Sequence, residues 1–341
     1  PACGSNPAGF LRNCAKRCFV FGVNTVIGVL VPFRLTARLA NQSFIGSRVP
    51  LSPSHHNALR YEGTGKGPRV PVECRVLATN RPQPVESYAA YAIGAALVDT
   101  EIQVTDDDLV AMNVDKGMMT LMDQSQQTLM LSQLSEHLIQ ASHASGGSAG
   151  NSMIATALMG APTYMSCKVA QDTDGDIYLS DLEQSGVAHG LNDQRKEGVT
   201  GKCLVLITPD AERSLNTHLG ISETLSVDEV NEDAIKASQW VYLEGYLVTS
   251  PTGHAAALKT KALAAQHQIQ TAVSFSDPGM VKFFRDNMAA MVEGGVELVF
   301  CNKVEALEWG QCDALDDAIS AIKQVARRFV ITLGAEGAIT W

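Results

Sequence analysis

A carboxamide and a carboxylate three positions apart, Asn302 and Glu305, follow directly on the apolar run Val296-Glu297-Leu298-Val299-Phe300-Cys301. At a strand end entering a helix, positions i and i+3 share one face. Hard oxygen donors so placed suit a magnesium ion held mostly through water and phosphate, because Mg²⁺ gives up its hydration shell reluctantly. The same two residues also fit a capping box, with Asn as N-cap and Glu reaching back to the backbone. Arg213 lies in the turn-like segment Thr208-Pro209-Asp210-Ala211-Glu212-Arg213. Its guanidinium suits the charge of a transferring phosphoryl group, or a surface pair with Asp210 or Glu212. Upstream, Gly146-Gly147-Ser148-Ala149-Gly150-Asn151 places three glycines ahead of an apolar helical pattern at Met153, Ile154, Ala157 and Leu158. Glycine turns sharply at no steric cost and lets a ligand approach the backbone. With Asn151 where the helix is expected to begin, a polar side chain, free N–H groups and the positive end of the helix dipole converge on one spot, fit for hydroxyls or an anion. The segment is not a dinucleotide fingerprint, which would need glycine where Ser148 stands.

Strands and helices must alternate to hold these residues. Apolar strand-like runs fall at 88–98, 118–122, 163–169, 204–208, 240–247, 271–275, 296–301 and 329–333. Helical patterns fall between them at 126–140, 152–159, 177–185, 227–238, 253–267, 280–291 and 314–327. This alternation predicts an α/β fold built on a doubly wound, mainly parallel sheet flanked by helices. Ligands of such sheets bind outside the carboxyl ends of the strands. Asp99, at the end of the run 88–98, joins Asn151, Asp277 and Asn302 as a polar residue in that position. Two more polar blocks, near 100–122 and 186–222, are expected to form a small β lid. Thr332-Leu333-Gly334-Ala335-Glu336-Gly337 closes the last long strand-like run; its glycines permit close approach of a nucleotide or a plain hairpin.

The net charge of −10 conceals an asymmetry. Residues 1–87 hold eleven Lys/Arg against three Asp/Glu, a balance of +8, leaving fifteen against thirty-three and −18 for residues 88–341. An acidic body argues against nucleic acid as a partner, since phosphate binding needs clustered cations. The apolar run 19–33 is short for a membrane span. Eight cysteines occur without a C-x-x-C pair, which points to buried thiols rather than a zinc site or a disulfide frame. Residues 1–87, Arg-rich and broken by Pro, Gly and Ser, read as a poorly structured extension, either an organellar presequence or a tail without function. The expected location is the cytoplasm, or a plastid or mitochondrion if that extension is a presequence.

Taken together, Gly94-Ala95-Ala96-Leu97-Val98-Asp99, the 146–160 stretch, Lys168-Val169-Ala170-Gln171-Asp172-Thr173-Asp174-Gly175, Arg213-Ser214-Leu215, Asn302-x-x-Glu305 and Thr332-Leu333-Gly334-x-x-Gly337 resemble the ribokinase-like (PfkB) carbohydrate and nucleoside kinases. The likeness is greatest to adenosine-kinase-like members and runs over residues 88–341. It implies ATP- and Mg²⁺-dependent phosphorylation of a hydroxymethyl group on a nucleoside or sugar, by a monomer or homodimer. By the same resemblance, Asp99, Gly146, Gly147 and Asn151 hold substrate hydroxyls, and Arg213 steadies the phosphoryl group. Asn302 and Glu305 organise Mg²⁺, while Asn302, Thr332, Gly334 and Gly337 line the nucleotide site.

Two departures stand out. Family members usually have Asn at the place of Ala95, which removes one substrate hydrogen bond. They also carry a Gly-Ala-Gly-Asp motif, whose N–H groups form an anion hole and whose Asp accepts the proton of the acceptor hydroxyl. No such motif occurs before Trp341. The expectation is therefore a C-terminally truncated kinase, inactive as given and with an exposed sheet edge near 329–341. The contrasting reading is a catalytically silent small-molecule binding or regulatory protein of the same fold.

Overall fold

The computed structural model describes residues 87–341 apart from 135–141 and 192–194. The expected presequence or tail, residues 1–86, lies outside the described residues, as does the end of the helix expected over 126–140. In chain order the strands are β1 (Tyr88–Ile93), β2 (Leu97–Gln103), β3 (Met119–Leu121), β4 (Ser142–Gly146), β5 (Thr163–Ser166), β6 (Val187–His189), β7 (Gly201–Ile207), β8 (Arg213–His218), β9 (Ser238–Leu243), β10 (Gln270–Ser274), β11 (Val296–Asn302), β12 (Ala326–Thr332) and β13 (Ala338–Thr340).

Eight of them form one sheet in the order β13-β12-β11-β10-β9-β1-β5-β6, parallel throughout except where β13 pairs antiparallel with β12 at the edge. Side chains alternate across its faces. Tyr91, Ile93, Val241, Leu243, Val299 and Phe329 pack on one side, with the helices Pro251–Gln266, Arg285–Val292 and Lys303–Gly310. Ala90, Ala92, Tyr242, Leu298, Phe300 and Val330 pack on the other, with Met153 and Ile154 of the helix Ser148–Leu158 and Tyr178 and Leu182 of the helix Thr173–Ser185. Helices on both faces make the sheet doubly wound, and its strands read as near-continuous apolar runs because both faces are covered.

The other five strands form a second sheet in the order β3-β8-β7-β2-β4. Ile102, Leu204 and Leu206 on its outer face pack with Leu109 of the helix Asp106–Ala111 and Met130 of the helix Gln124–Gln133. Odd-numbered residues of β2, β3, β7 and β8, among them Leu97, Asp99, Met119, Cys203 and Leu215, face the carboxyl ends of the first sheet, and the site lies between the two.

Several expected boundaries move. The run 88–98 is not one strand: the chain leaves the first sheet after Ile93 and enters the second at Leu97. Gly94 makes this crossing possible, because a Cβ there would lie 2.5 Å from the Ala149 Cβ and 2.7 Å from the Glu244 carboxylate. The predicted helix 280–291 is two helices, Pro278–Phe283 and Arg285–Val292, and 227–238 is a 3₁₀ turn followed by the short helix Glu232–Lys236. The helix expected over 314–327 ends at Ile322, and Ala326 already pairs with Val296 in the sheet. Within the block 186–222, Val187 and its neighbours belong to the first sheet, where β6 pairs with β5. Among the described residues no helix is long and apolar enough to cross a membrane.

Candidate active site

A cavity of about 340 Å³ opens at the carboxyl ends of β9 to β12, roofed by the inner face of the second sheet. Asp99, Gly147 and Asn151 all line it, together with Asn302, Glu305 and Thr332. These residues arrive from four separate stretches of the chain.

Asp99 is not at the end of β1, as the sequence suggests, but inside β2, opposite Cys203 on one side and Ala144 on the other. It is 5% exposed. Burial pushes its carboxyl up to about 7, the Glu101 carboxylate adds to this, and Arg213 opposes it. Gly146 stands behind it without lining the cavity: a Cβ at that position would lie 2.0 Å from Asp99 Oδ1. Any other residue at 146 would drive the carboxylate out of its place.

The helix carrying Asn151 starts three residues earlier than expected, at Ser148, with Gly147 as N-cap. Asn151 therefore sits on the first turn rather than at the cap, and its own N–H donates to the Gly147 carbonyl at 3.0 Å. Gly147 has φ +84°, and a Cβ on it would lie 2.3 Å from the Ala95 carbonyl oxygen. Gly147→Ala meets both the backbone penalty and this clash. It is expected to destabilise the fold by about 3 kcal/mol or more, read as a drop of roughly 6–12 °C in melting temperature by circular dichroism.

Glu244 was missed by the sequence reading. It follows β9 at the floor of the cavity and is 1% exposed. Its carboxylate accepts from Ala149 N at 2.8 Å, Ser148 Oγ at 3.0 Å and Ala95 N at 3.2 Å. Burial pushes its carboxyl up while these donors hold it down. One signal was available: an acid inside the otherwise apolar stretch Trp240-Val241-Tyr242-Leu243-Glu244-Gly245-Tyr246 is too costly to bury unless partnered. The N–H of Ala95 is one of those partners.

Asn302 and Glu305 form the capping box of the helix Lys303–Gly310. Glu305 N donates to Asn302 Oδ1 at 2.8 Å, and Asn302 N donates to Glu305 Oε2 at 2.9 Å. The pair also faces the cavity, so capping and ligand contact are not exclusive. Glu305 is 4% exposed, and burial, helped by the Asp277 carboxylate, pushes it up to about 7. Among the described residues no cluster of three or more His, Cys, Asp or Glu forms a complete metal shell. The donor set fits a hydrated magnesium ion, which takes one or two carboxylates and fills its other positions with water and phosphate.

Thr332 ends β12 at the cavity, whereas Gly334 and Gly337 lie beyond it, in the turn leading to β13. Both have positive φ, +61° and +93°, and a Cβ on either would meet open space. Arg213 is the first residue of β8 rather than part of a turn, and is not among the cavity-lining residues. Its Nη2 donates to Glu101 Oε1 at 3.0 Å, while Asp210 accepts from Lys116 at 2.7 Å.

Residues 114–341 match the pfkB family carbohydrate kinases. The chain belongs to that family. It superposes on the solved structure of adenosine kinase from Sinorhizobium meliloti with a TM-score of 0.70 at 30% identity, covering 75% of this chain and 77% of that one. A probable sugar kinase from Rhizobium etli CFN 42 gives the same TM-score at 29% identity, covering 75% and 76%. The adenosine kinase of Schizophyllum commune is 26% identical over 235 residues, which is 66% of this chain. The chain spans 65% of the length of that enzyme.

Proposed function

We propose that this pfkB protein transfers a phosphoryl group from ATP to a hydroxymethyl group of a nucleoside or simple sugar, with Mg²⁺ as cofactor. The observation that carries the reading is the convergence of Asp99, Glu244 and Asn151 on one cavity that also opens onto Asn302, Glu305 and Thr332.

Asp99 in its ionised form accepts hydrogen bonds from two neighbouring hydroxyls, and a charged acceptor that is itself buried makes these bonds strong. Asn151 offers both a donor and an acceptor to the same ring. Gly147, without a side chain, lets the ring come up against the helix start. Glu244 holds Ser148 and Ala149 in register, so the first helical turn is fixed before the ligand arrives. Asn302 and Glu305 would hold Mg²⁺ through its waters, and the ion supplies positive charge to the phosphates. A cation there would also draw Glu305 into its ionised form, against the field of Asp277. Thr332 places a hydroxyl at the nucleotide side. Asp99, Gly147 and Asn151 bear on seating the acceptor, so binding is the property to test first on this chain.

Calorimetric titration of adenosine, ribose and fructose into the 341-residue protein is expected to give saturable binding of at least one of them, with a dissociation constant of about 1 μM to 1 mM, equivalent to roughly −8 to −4 kcal/mol. Absence of heat with all three, for a chain whose circular dichroism shows it folded, would overturn the proposal.

A further inference from the structure

Strand alternation puts Arg213, Leu215 and Thr217 of β8 on one face of the second sheet, and Leu97, Asp99 and Glu101 of β2 on the same face. Leu97, Asp99, Leu215 and Thr217 line the cavity. Glu101 and Arg213 are the next residues outward on their strands, and Arg213 Nη2 reaches across β7 to Glu101 Oε1 at 3.0 Å. The ion pair thus sits on the cavity side of the roof, immediately beyond the carboxylate that the preceding section assigns to the ligand hydroxyls. Both side chains are partly buried, at 20% and 28% exposure for Arg213 and Glu101. Their charges are therefore incompletely screened by water.

We propose that Glu101 is a positioning residue that parks the Arg213 guanidinium at the outer edge of the cavity roof and competes with a ligand phosphate for it. The proposal rests on the reading of the cavity as a nucleoside or sugar site. A phosphoryl group attached to a ligand seated on Asp99 carries up to two negative charges and three acceptor oxygens. It makes a better guanidinium partner than a single partly buried carboxylate, and a flexible Arg side chain can exchange one for the other. In the absence of phosphate, Glu101 keeps the cation from swinging onto Asp99, whose carboxylate it also attracts. The device would make Arg213 available when a phosphate is present and occupied when it is not.

The test compares adenosine with adenosine 5′-monophosphate, titrated calorimetrically into the wild type, Glu101→Gln, Arg213→Gln and the double variant. At pH 8, where Asp99 is mostly ionised whether or not Glu101 carries its charge, Glu101→Gln is expected to tighten the monophosphate relative to adenosine by about fivefold, the most that a partly buried ion pair at the rim gives up. Arg213→Gln should weaken the monophosphate selectively and erase the gain in the double variant. Glu101→Asp, one methylene shorter, serves as a second variant should Glu101→Gln fold poorly, and is expected to give a smaller gain of the same sign. An unchanged or weakened monophosphate affinity relative to adenosine in Glu101→Gln, or a gain that persists without Arg213, would overturn the proposal while leaving the cavity reading intact. Failure of the wild type to bind adenosine would instead overturn the cavity reading, and this inference with it.

Discussion

Asp99→Ala is expected to reduce ligand affinity by roughly 10²- to 10⁴-fold, because it removes two hydrogen bonds to a charged acceptor worth about 1.5–3 kcal/mol each. The loss should appear in calorimetry as an undetectable heat at concentrations that saturate the wild type. Folding should survive, since alanine is compatible with the interior of β2 and leaves the Gly146 contact slack rather than strained. Unchanged affinity in a folded variant would remove Asp99 from the site. Asp99→Asn separates charge from shape: it keeps a planar polar group beside Gly146 and loses only the ionisation. An intermediate affinity for Asn, above Ala and below the wild type, is the expected order.

The same Asp99→Asn variant is expected to be more stable than the wild type above neutral pH. Asp99 ionises near 3.8 in the unfolded chain, but only near 7 in the fold, where burial disfavours the charge. Between those values the folded state holds a proton that the unfolded state has released, so stability falls as pH rises through this window and is lowest above about 7. The full difference of about three pKa units corresponds to about 4 kcal/mol at pH 8. Asparagine still has a buried amide to satisfy, and a net gain of about 2 kcal/mol is expected, or a rise of roughly 4–8 °C in melting temperature. The gain should shrink steadily as pH falls through this window, and should vanish below about pH 3, where the wild-type carboxyl is protonated in both states. A melting difference that is independent of pH would show that the carboxylate is not strained by burial. Asp99 thus gives up stability for a buried charge at the cavity wall, the expected trade at a binding site.

Much of this was visible in the residues themselves. The alternation of apolar runs with helical patterns gave the α/β class, because both faces of the large sheet are covered and its strands stay apolar along their length. The glycines at 146 and 147 marked the place where backbone and carboxylate come closest. The misreadings have physical causes. Residues 88–98 look like one strand because both of its halves are apolar, and nothing local records that the sheet changes at Gly94. The helix Ser148–Leu158 begins before its apolar pattern does, since Ser148, Ala149 and Gly150 carry no long side chains to show the period. β4 escaped notice because Ser142-His143-Ala144-Ser145-Gly146 lacks the β-branched and aromatic residues of a typical strand, and is held by pairing with β2. Glu244 was passed over because burial of a lone acid becomes intelligible only when its three donors, distant in sequence, are seen around it.

The central claim is that Asp99, in its ionised form, receives the hydroxyls of the ligand. Its most direct test is the affinity for adenosine, measured by calorimetry at pH 6 and pH 8 in buffers of differing ionisation enthalpy. A carboxyl that titrates near 7 in the free protein must lose its proton to accept two hydroxyl donors. The account predicts proton release on binding and an affinity about tenfold higher at pH 8 than at pH 6, with both effects absent in Asp99→Asn. An affinity that does not change with pH, or a proton taken up on binding, would contradict it.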